Sequence, residues 1–205
     1  MNYDLLLKGG HVIDPKNSVD EARDVAISKG KIAAVDAAIP VDQAAQVIDM
    51  TGLYVMPGLV DIHTHMFASS GIRNSWAGDK SILPDGFSFR SGVTTMVDTG
   101  SAGWRYFEDF RYRVIDRFDT RKFAFLNIVG AGMVANDLEQ NQADMDVDRA
   151  VAMGKEHSDV IVGMKTAHYC GTEWISVDRM LEAGRQLGKP SMVDFGLFPK
   201  ERPYY

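Results

Sequence analysis

Val55-Met56-Pro57-Gly58-Leu59-Val60-Asp61-Ile62-His63-Thr64-His65 is the stretch that decides how this chain is read. Pro57-Gly58 opens a short apolar strand, and side chains alternate along a strand, so His63 and His65 point the same way. Two imidazoles at the C-terminal end of one strand can hold a single divalent metal. In a parallel strand–helix array that end is also where active sites lie. A His-x-His pair alone arises often by chance. Behind a strand opened by Pro-Gly, and with Asp61 just before it, the pair reads as a metal site rather than as two packing or surface histidines.

Upstream, residues 1–56 read as short strands and tight turns. Leu5–Leu7 runs into Gly9-Gly10 and then His11-Val12-Ile13, while Asp24–Ile27 and Ile32–Val35 flank Ser28-Lys29-Gly30-Lys31 as a hairpin with glycine at its turn. This is a β-rich module without a helical period. Downstream, from residue 57 to 205, apolar strands alternate with helical stretches. The strand candidates are Gly58–Ile62, Val93–Val97, Phe123–Val129, Val160–Lys165 and Ser191–Phe195, spaced as repeated strand–helix units of a parallel sheet.

Helices are expected in three places. One carries a mostly apolar stripe of Phe107, Phe110, Arg111, Val114 and Phe118, and Trp104-Arg105-Tyr106-Phe107 reads as its start. A second begins near Asp146 with Val147, Ala150 and Val151. The third starts after Ser176, has Asp178 in its first turn and stops at Gly188 before Pro190. The polar, Gly-rich region Gly71–Gly86 reads as a loop. The chain ends with Pro199–Tyr205, soon after the fifth strand. A (β/α)8 barrel takes eight units and about 250 residues. Five units fit either an open doubly wound sheet or, the expectation adopted here, the N-terminal part of a longer protein.

The chain has 205 residues, 45% hydrophobic and 24% charged, as expected of a soluble globular protein rather than a disordered or fibrous one. Its 22 basic and 28 acidic side chains give a formal net charge of -6, which argues against nucleic acid or an anionic membrane as partner. The N-terminal Met1–Lys8 carries Asp4 and breaks at Gly9-Gly10, unlike a signal peptide. No run reaches the roughly 18 apolar residues of a membrane span. Cys170 is the only cysteine, so no intrachain disulfide can form, which suits a reducing cytoplasm.

Lys165 ends the apolar run Val160-Ile161-Val162-Gly163-Met164. Burial lowers a lysine's pKa and favours the neutral amine. A neutral amine can take up CO2 as a carbamate, whose two oxygens could bridge two metals. The competing reading is a lysine that snorkels or pairs with a carboxylate. Asp98, closing the second strand, could position substrate, orient a ligand histidine or hold the next loop. His168, three residues past Lys165, could bind substrate or ligate metal. Cys170 joins a metal site only if its loop folds back, and His11 and His157 are read as ordinary solvent-facing histidines.

Pro57–His65 resembles the first-strand signature of the amidohydrolase superfamily. Leu6–Pro15 and Gly30–Val35 resemble the N-terminal β-module of dihydroorotases and hydantoinases. Ser91–Gly103 resembles strand two of the amidohydrolase/deacetylase branch. The resemblance implies an α/β fold: a partial (β/α)8 TIM barrel of about five strand–helix units at 57–205, truncated after strand five, preceded by half of a small β-sandwich at 1–56.

The resemblance further implies that His63 and His65 hold one metal and that Lys165, as a carbamate, bridges to a second. In Ser191-Met192-Val193-Asp194-Phe195-Gly196, Asp194 occupies the position where most of the superfamily has a histidine. A carboxylate there can ligate, making a harder site that favours zinc less decisively over manganese or iron. The implied cofactors are one or two zinc ions, with manganese or iron as alternatives. The implied activity is hydrolysis of a small amide or cyclic amide by metal-bound hydroxide. The family's strand-six histidine and strand-eight aspartate have no counterpart in this chain, so the 205 residues alone are expected to be catalytically incomplete. Family members are commonly dimers or tetramers, which implies a homo-oligomer when intact. Two rivals stand beside this reading. A non-enzymatic dihydropyrimidinase-like scaffold is opposed by His63, His65 and Lys165, and a mononuclear deaminase would not need Lys165.

Overall fold

A computed structural model describes residues 2–68 and 73–196, which form two compact units, Met1–Gly58 and Leu59–Tyr205. Positions 71 and 72 of the expected loop, and the closing stretch Pro199–Tyr205, lie outside the described residues.

The first unit is a sheet of β1 (Tyr3–Asp14), β2 (Val19–Ser28), β3 (Lys31–Asp36), β4 (Ala44–Asp49) and β5 (Tyr54–Val55), with β3-β2-β1-β4 side by side and β5 also on β1. The β2–β3 hairpin turns on Lys29 and Gly30, both at positive φ, the two-residue geometry that matches strand twist. Hairpins alone do not make this sheet. β4 and β5 both run parallel to β1, the former along Tyr3–Lys8 and the latter along His11–Val12. The change of partner falls at Gly9-Gly10. Gly9 has a φ of +72°, and a side chain on Gly10 would lie 2.7 Å from a Val55 methyl.

Leu6, Ala26, Ile39 and Ala44 form this unit's small core. Beside it Asp24, 2% exposed, accepts from Lys8 Nζ at 2.5 Å, Gly9 N at 2.8 Å and Ile39 N at 2.7 Å. Burial alone would raise the Asp24 pKa. The Lys8 hydrogen bond and the Ile39 and Gly9 amides outweigh burial and hold it below the usual value.

The second unit is a curled, all-parallel half-barrel in the order β10-β9-β8-β7-β6. Its elements are β6 (Leu59–Thr64), α1 (Pro84–Ser88), β7 (Val93–Gly103), α2 (Phe107–Phe110), β8 (Arg121–Asn127), α3 (Val147–Glu156), β9 (Ile161–Thr166), α4 (Ile175–Leu187) and β10 (Ser191–Val193). Phe107, Phe110, Leu126, Ile128, Met164 and Met180 lie in the single core between helices and sheet. Asp146 caps α3 by accepting from Arg149 N, and Gly188, at φ +63°, ends α4 as the sequence signals require. Among the described residues no helix is long and apolar enough to cross a membrane.

Several boundaries differ from the sequence expectation. The last residues of the expected loop, Pro84–Gly86, start α1 instead, with Pro84 in the first turn, where its missing N–H costs nothing. Tyr106 precedes α2, so Trp104 belongs to the turn before the helix and not to its start. After Phe110 the helix widens into a π turn over Arg111–Ile115, closed by Asp116 N to Arg111 O. The extra residue brings Val114 and Ile115 inward together and turns Arg111 out to Asp159. Strand β7 continues six residues beyond Val97. Thr99-Gly100-Ser101-Ala102-Gly103 continues the strand through an irregular register, with Gly100 at φ +90°, because small residues let the loop after β8 pack on its backbone, and a Cβ on Gly103 would lie 1.8 Å from Val129 O.

Gly103→Ala must therefore displace backbone, and its cost should lie at or above the top of the roughly 1–3 kcal/mol typical of overpacking. Gly86→Ala, in open space on α1, should instead raise stability by up to about 1 kcal/mol. Urea midpoints of the two variants check both. For Asp24 the folded pKa is depressed, so its contribution is complete above the unfolded carboxylate pKa and fades as pH falls through the folded value. Asp24→Asn should lower stability near neutral pH and flatten the acid limb of a stability–pH profile.

Candidate metal centre

The C-terminal ends of the parallel strands bring four of the sequence candidates together. His63 and His65 leave β6 on the same side, their ring centroids 5.8 Å apart. Between them Thr64 turns away and donates to Val97 O, which pins the strand end to β7. His65 lies against Trp76, with centroids 4.9 Å apart, and one ring nitrogen, Nδ1, is 2.9 Å from Ser101 Oγ. Burial, reinforced by His63, Lys165 and His168, drops the His65 pKa to about 3. The ring is thus neutral at physiological pH, the protonation state in which imidazole binds metal.

Lys165, at the end of β9, is fully buried, and among the described residues its Nζ has no hydrogen-bond partner. Burial lowers its pKa, against the opposing pull of Asp194, Glu139 and Asp98. Room for its stem comes from Gly100, at φ +90°, where a Cβ would lie 2.7 Å from Lys165 Cγ. Asn127, the register partner of Lys165, donates to Gly100 O and fixes that approach.

Asp194 follows β10 and is half-buried. Its N–H donates to Thr166 O, and its Oδ1 accepts from Gly196 N at 2.8 Å. Burial raises its pKa, but the Gly196 amide and the nearby Lys165, His168 and His63 leave it lowered overall. His168 Nε2 is 3.8 Å from Asp194 Oδ2, while His168 Nδ1 is 3.0 Å from Glu139 Oε2.

Asp98 is placed differently. Both its oxygens accept backbone N–H groups, from Met66 at 2.7 Å and Ser101 at 2.8 Å, so it ties the segment after His65 to β7. Burial pushes its pKa up to about 6 against those hydrogen bonds. Cys170 is exposed, and its Sγ lies against His168 O. His11 pairs with Asp20 in the first unit.

His157, at the end of α3, has company. Among the described residues, the one trio of His, Cys, Asp or Glu with ligand atoms all within 4.8 Å of one another is Glu108, Glu156 and His157. It lies away from the strand ends, and Arg111 donates to His157 Nδ1. His63, His65 and Asp194 do not draw into so tight a trio. They share one mouth instead.

Three residues of this mouth carry no legible sequence signal. Trp76 sits in an irregular segment that is fixed by Ser75 Oγ and Ala77 N on Met133 O. Glu139 is 2% exposed within a short turn, Leu138–Gln140, in a run of polar residues without periodicity. Gly100 is one of 19 glycines, and only its φ and the Lys165 stem set it apart. A cavity of about 350 Å3, lined in part by Trp76, Lys80, Asn136, His168 and Asp194, opens beside these groups. The donor chemistry suits a divalent ion: a neutral imidazole, a carboxylate across from it, and a buried amine that lacks any partner.

No family model matches the chain. A deacetylase of Agrobacterium fabrum is 35% identical over 193 residues, 88% of this chain and 45% of that protein. A solved dihydroorotase superposes with a TM-score of 0.75 at 30% identity, over 92% of this chain and 50% of its own. An adenine deaminase does so with a TM-score of 0.81 at 27% identity, over 96% and 51%. The chain thus spans about half the length of these relatives. With the His63–His65 strand end seated in a parallel half-barrel, and with these likenesses in sequence and fold, the chain belongs to the amidohydrolase superfamily and matches the N-terminal portion of its members.

Proposed function

We propose that the protein carrying this chain is a metal-dependent hydrolase of C–N bonds other than peptide bonds, acting on a small N-acyl compound or a cyclic amide. The observation that carries this reading is the buried, unpartnered Lys165 amine beside the neutral His65 imidazole at one strand-end mouth. His63 and His65 are assigned to one metal and Asp194 to a second, with Lys165, as a carbamate, assigned to both. Zinc is the expected ion, with manganese or iron as alternatives. Metal bound there would supply Lewis acidity toward the substrate carbonyl and acidify a water molecule.

The chain's own side chains do the rest. His65 is held by Ser101 and Trp76, so its free ring nitrogen keeps one direction. Lys165, whose pKa burial lowers, reacts through its neutral form: the nitrogen lone pair attacks CO2 and one N–H proton passes to solvent, giving a carbamate. That converts an unpartnered amine into a two-oxygen anion suited to bridge. Asp98 stays bound to backbone and holds the His65 segment rigid against β7. Trp76 and Asn136 line the adjoining cavity, where the body of a small substrate fits.

The likeness to an adenine deaminase supports a second reading, hydrolysis of a ring amidine. Lys165 weighs toward amide substrates, because one metal on imidazoles suffices for deamination. The acidic balance and lone Cys170 support a cytoplasmic setting without nucleic acid, and a homo-oligomer is the expected assembly. Residues 1–56 are assigned to a β-module and 57–205 to part of the barrel.

With zinc or manganese present, the full protein should release carboxylate and amine from N-acyl amino acids or open a cyclic amide. His65→Ala and Lys165→Ala should reduce that turnover to background, and residues 1–205 alone should be inactive. Ammonia from adenine, with no amide turnover, would favour the second reading. Wild-type rates in Lys165→Ala would overturn the bridging role. In 13C-bicarbonate, a carbamate carbon resonance should appear for wild type and vanish in Lys165→Ala.

A further inference from the structure

His168 is held more firmly than a loop histidine has reason to be. It sits at φ +56°, a left-handed backbone that non-glycine residues seldom adopt. The Leu138–Gln140 turn grips it from the far side. Gln140 Nε2 donates to His168 O at 2.9 Å, and Gln140 Oε1 accepts from Cys170 N at 2.7 Å. From the same turn, the buried Glu139 carboxylate takes His168 Nδ1 at 3.0 Å. Both partners are largely sequestered, with side-chain exposures of 13% for His168 and 3% for Glu139.

With Nδ1 engaged, the remaining nitrogen, Nε2, faces Asp194 Oδ2 at 3.8 Å. That is too long for a hydrogen bond. It is a separation that two ligand atoms of one ion can have, since zinc–nitrogen and zinc–oxygen bonds are each about 2.0–2.2 Å. Asp194 Oδ1 is occupied by Gly196 N, which leaves Oδ2 as the oxygen on the His168 side. Both groups also lie close enough to act electrostatically on Lys165. A carboxylate that orients one ring nitrogen so that the other can ligate is the usual outer support of a metal-binding histidine.

We propose that His168 is a metal ligand shared with Asp194, supplied from the loop after β9 and oriented by Glu139 as its positioning residue. This rests on the metal-dependent reading above and adds to it a specific donor set for the second metal. The pairing explains why a histidine is held in left-handed backbone by two consecutive residues of another loop, and why the buried Glu139 carboxylate lies on that ring.

The test uses metal-depleted full protein reloaded with Co2+, read by its visible absorption spectrum and by chelator competition. Asparagine tolerates the left-handed backbone, so His168→Asn removes the donor and spares the turn. It should lose one bound metal equivalent and alter the Co2+ spectrum, with thermal unfolding unchanged. Glu139→Gln keeps the ligand and should weaken the more labile metal by about 10- to 100-fold. A His168→Asn protein with wild-type metal content and an unchanged spectrum overturns the proposal while leaving the hydrolase reading intact. A wild-type protein that binds no Co2+, with His65→Ala making no difference, overturns both.

Discussion

An amine that is fully buried and, among the described residues, without a hydrogen-bond partner is the constraint around which the second unit is arranged. Burying a lysine charged and unpaired costs several kcal/mol, a penalty that lowers its pKa and favours the neutral amine. The chain around Lys165 deepens this condition where it could relieve it. Gly100 takes a left-handed backbone so that the stem can pass, and Asn127 spends its amide on Gly100 O instead of on the amine. The three carboxylates that act on Lys165 each have other partners: backbone amides for Asp98 and Asp194, the His168 ring for Glu139. A stability-driven core would have placed one of them on the nitrogen.

The parts of this arrangement that follow from short-range periodicity were readable in the sequence. Alternation along β6 puts His63 and His65 on one side, and a run of apolar residues ending in lysine places Lys165 at the same end of the sheet. Asp146 and Gly188 mark helix ends through capping chemistry that acts over three or four residues. What escaped is set by contacts distant in sequence. Glu139 matters because of a histidine 29 positions away, and no local pattern distinguishes it from Asp137 or Asp144. The extension of β7 past Val97 depends on a loop carbonyl at Val129, and the π turn at Arg111 depends on Asp159. Asp98 illustrates a subtler limit. Its place on the second strand was legible, but that the strand runs on past it to Gly103 and that both of its oxygens are taken by backbone amides are facts of tertiary geometry.

The mouth is also layered by stiffness. Its inner wall is strand ends whose hydrogen bonds continue the sheet. Its outer wall, carrying Trp76, Glu139 and His168, is irregular chain joined by side-chain bonds such as Gln140 to His168 and Ser75 to Met133. Active sites commonly place adaptable loops on a rigid scaffold in this way. Here the outer wall is cross-linked loop to loop, with Glu139 and Gln140 of the β8–α3 connection bonded to His168 and Cys170 of the β9–α4 connection.

The change of partner along β1 bears on how the first unit folds. The β2–β3 pairing closes across two residues, an event of about 1–10 μs for an isolated hairpin. The β1–β4 pairing joins Tyr3 to Ala44, some forty residues apart, with the β2–β3 hairpin and the Ile39–Asp24 hydrogen bond lying between them in the chain. Long loops are closed slowly, and parallel pairings gain nothing until they are closed. By loop-closure entropy the seam between β1 and β4 is the step expected to limit how fast this module forms, and the Asp24 cluster and the small core lie beside that seam to hold it once closed.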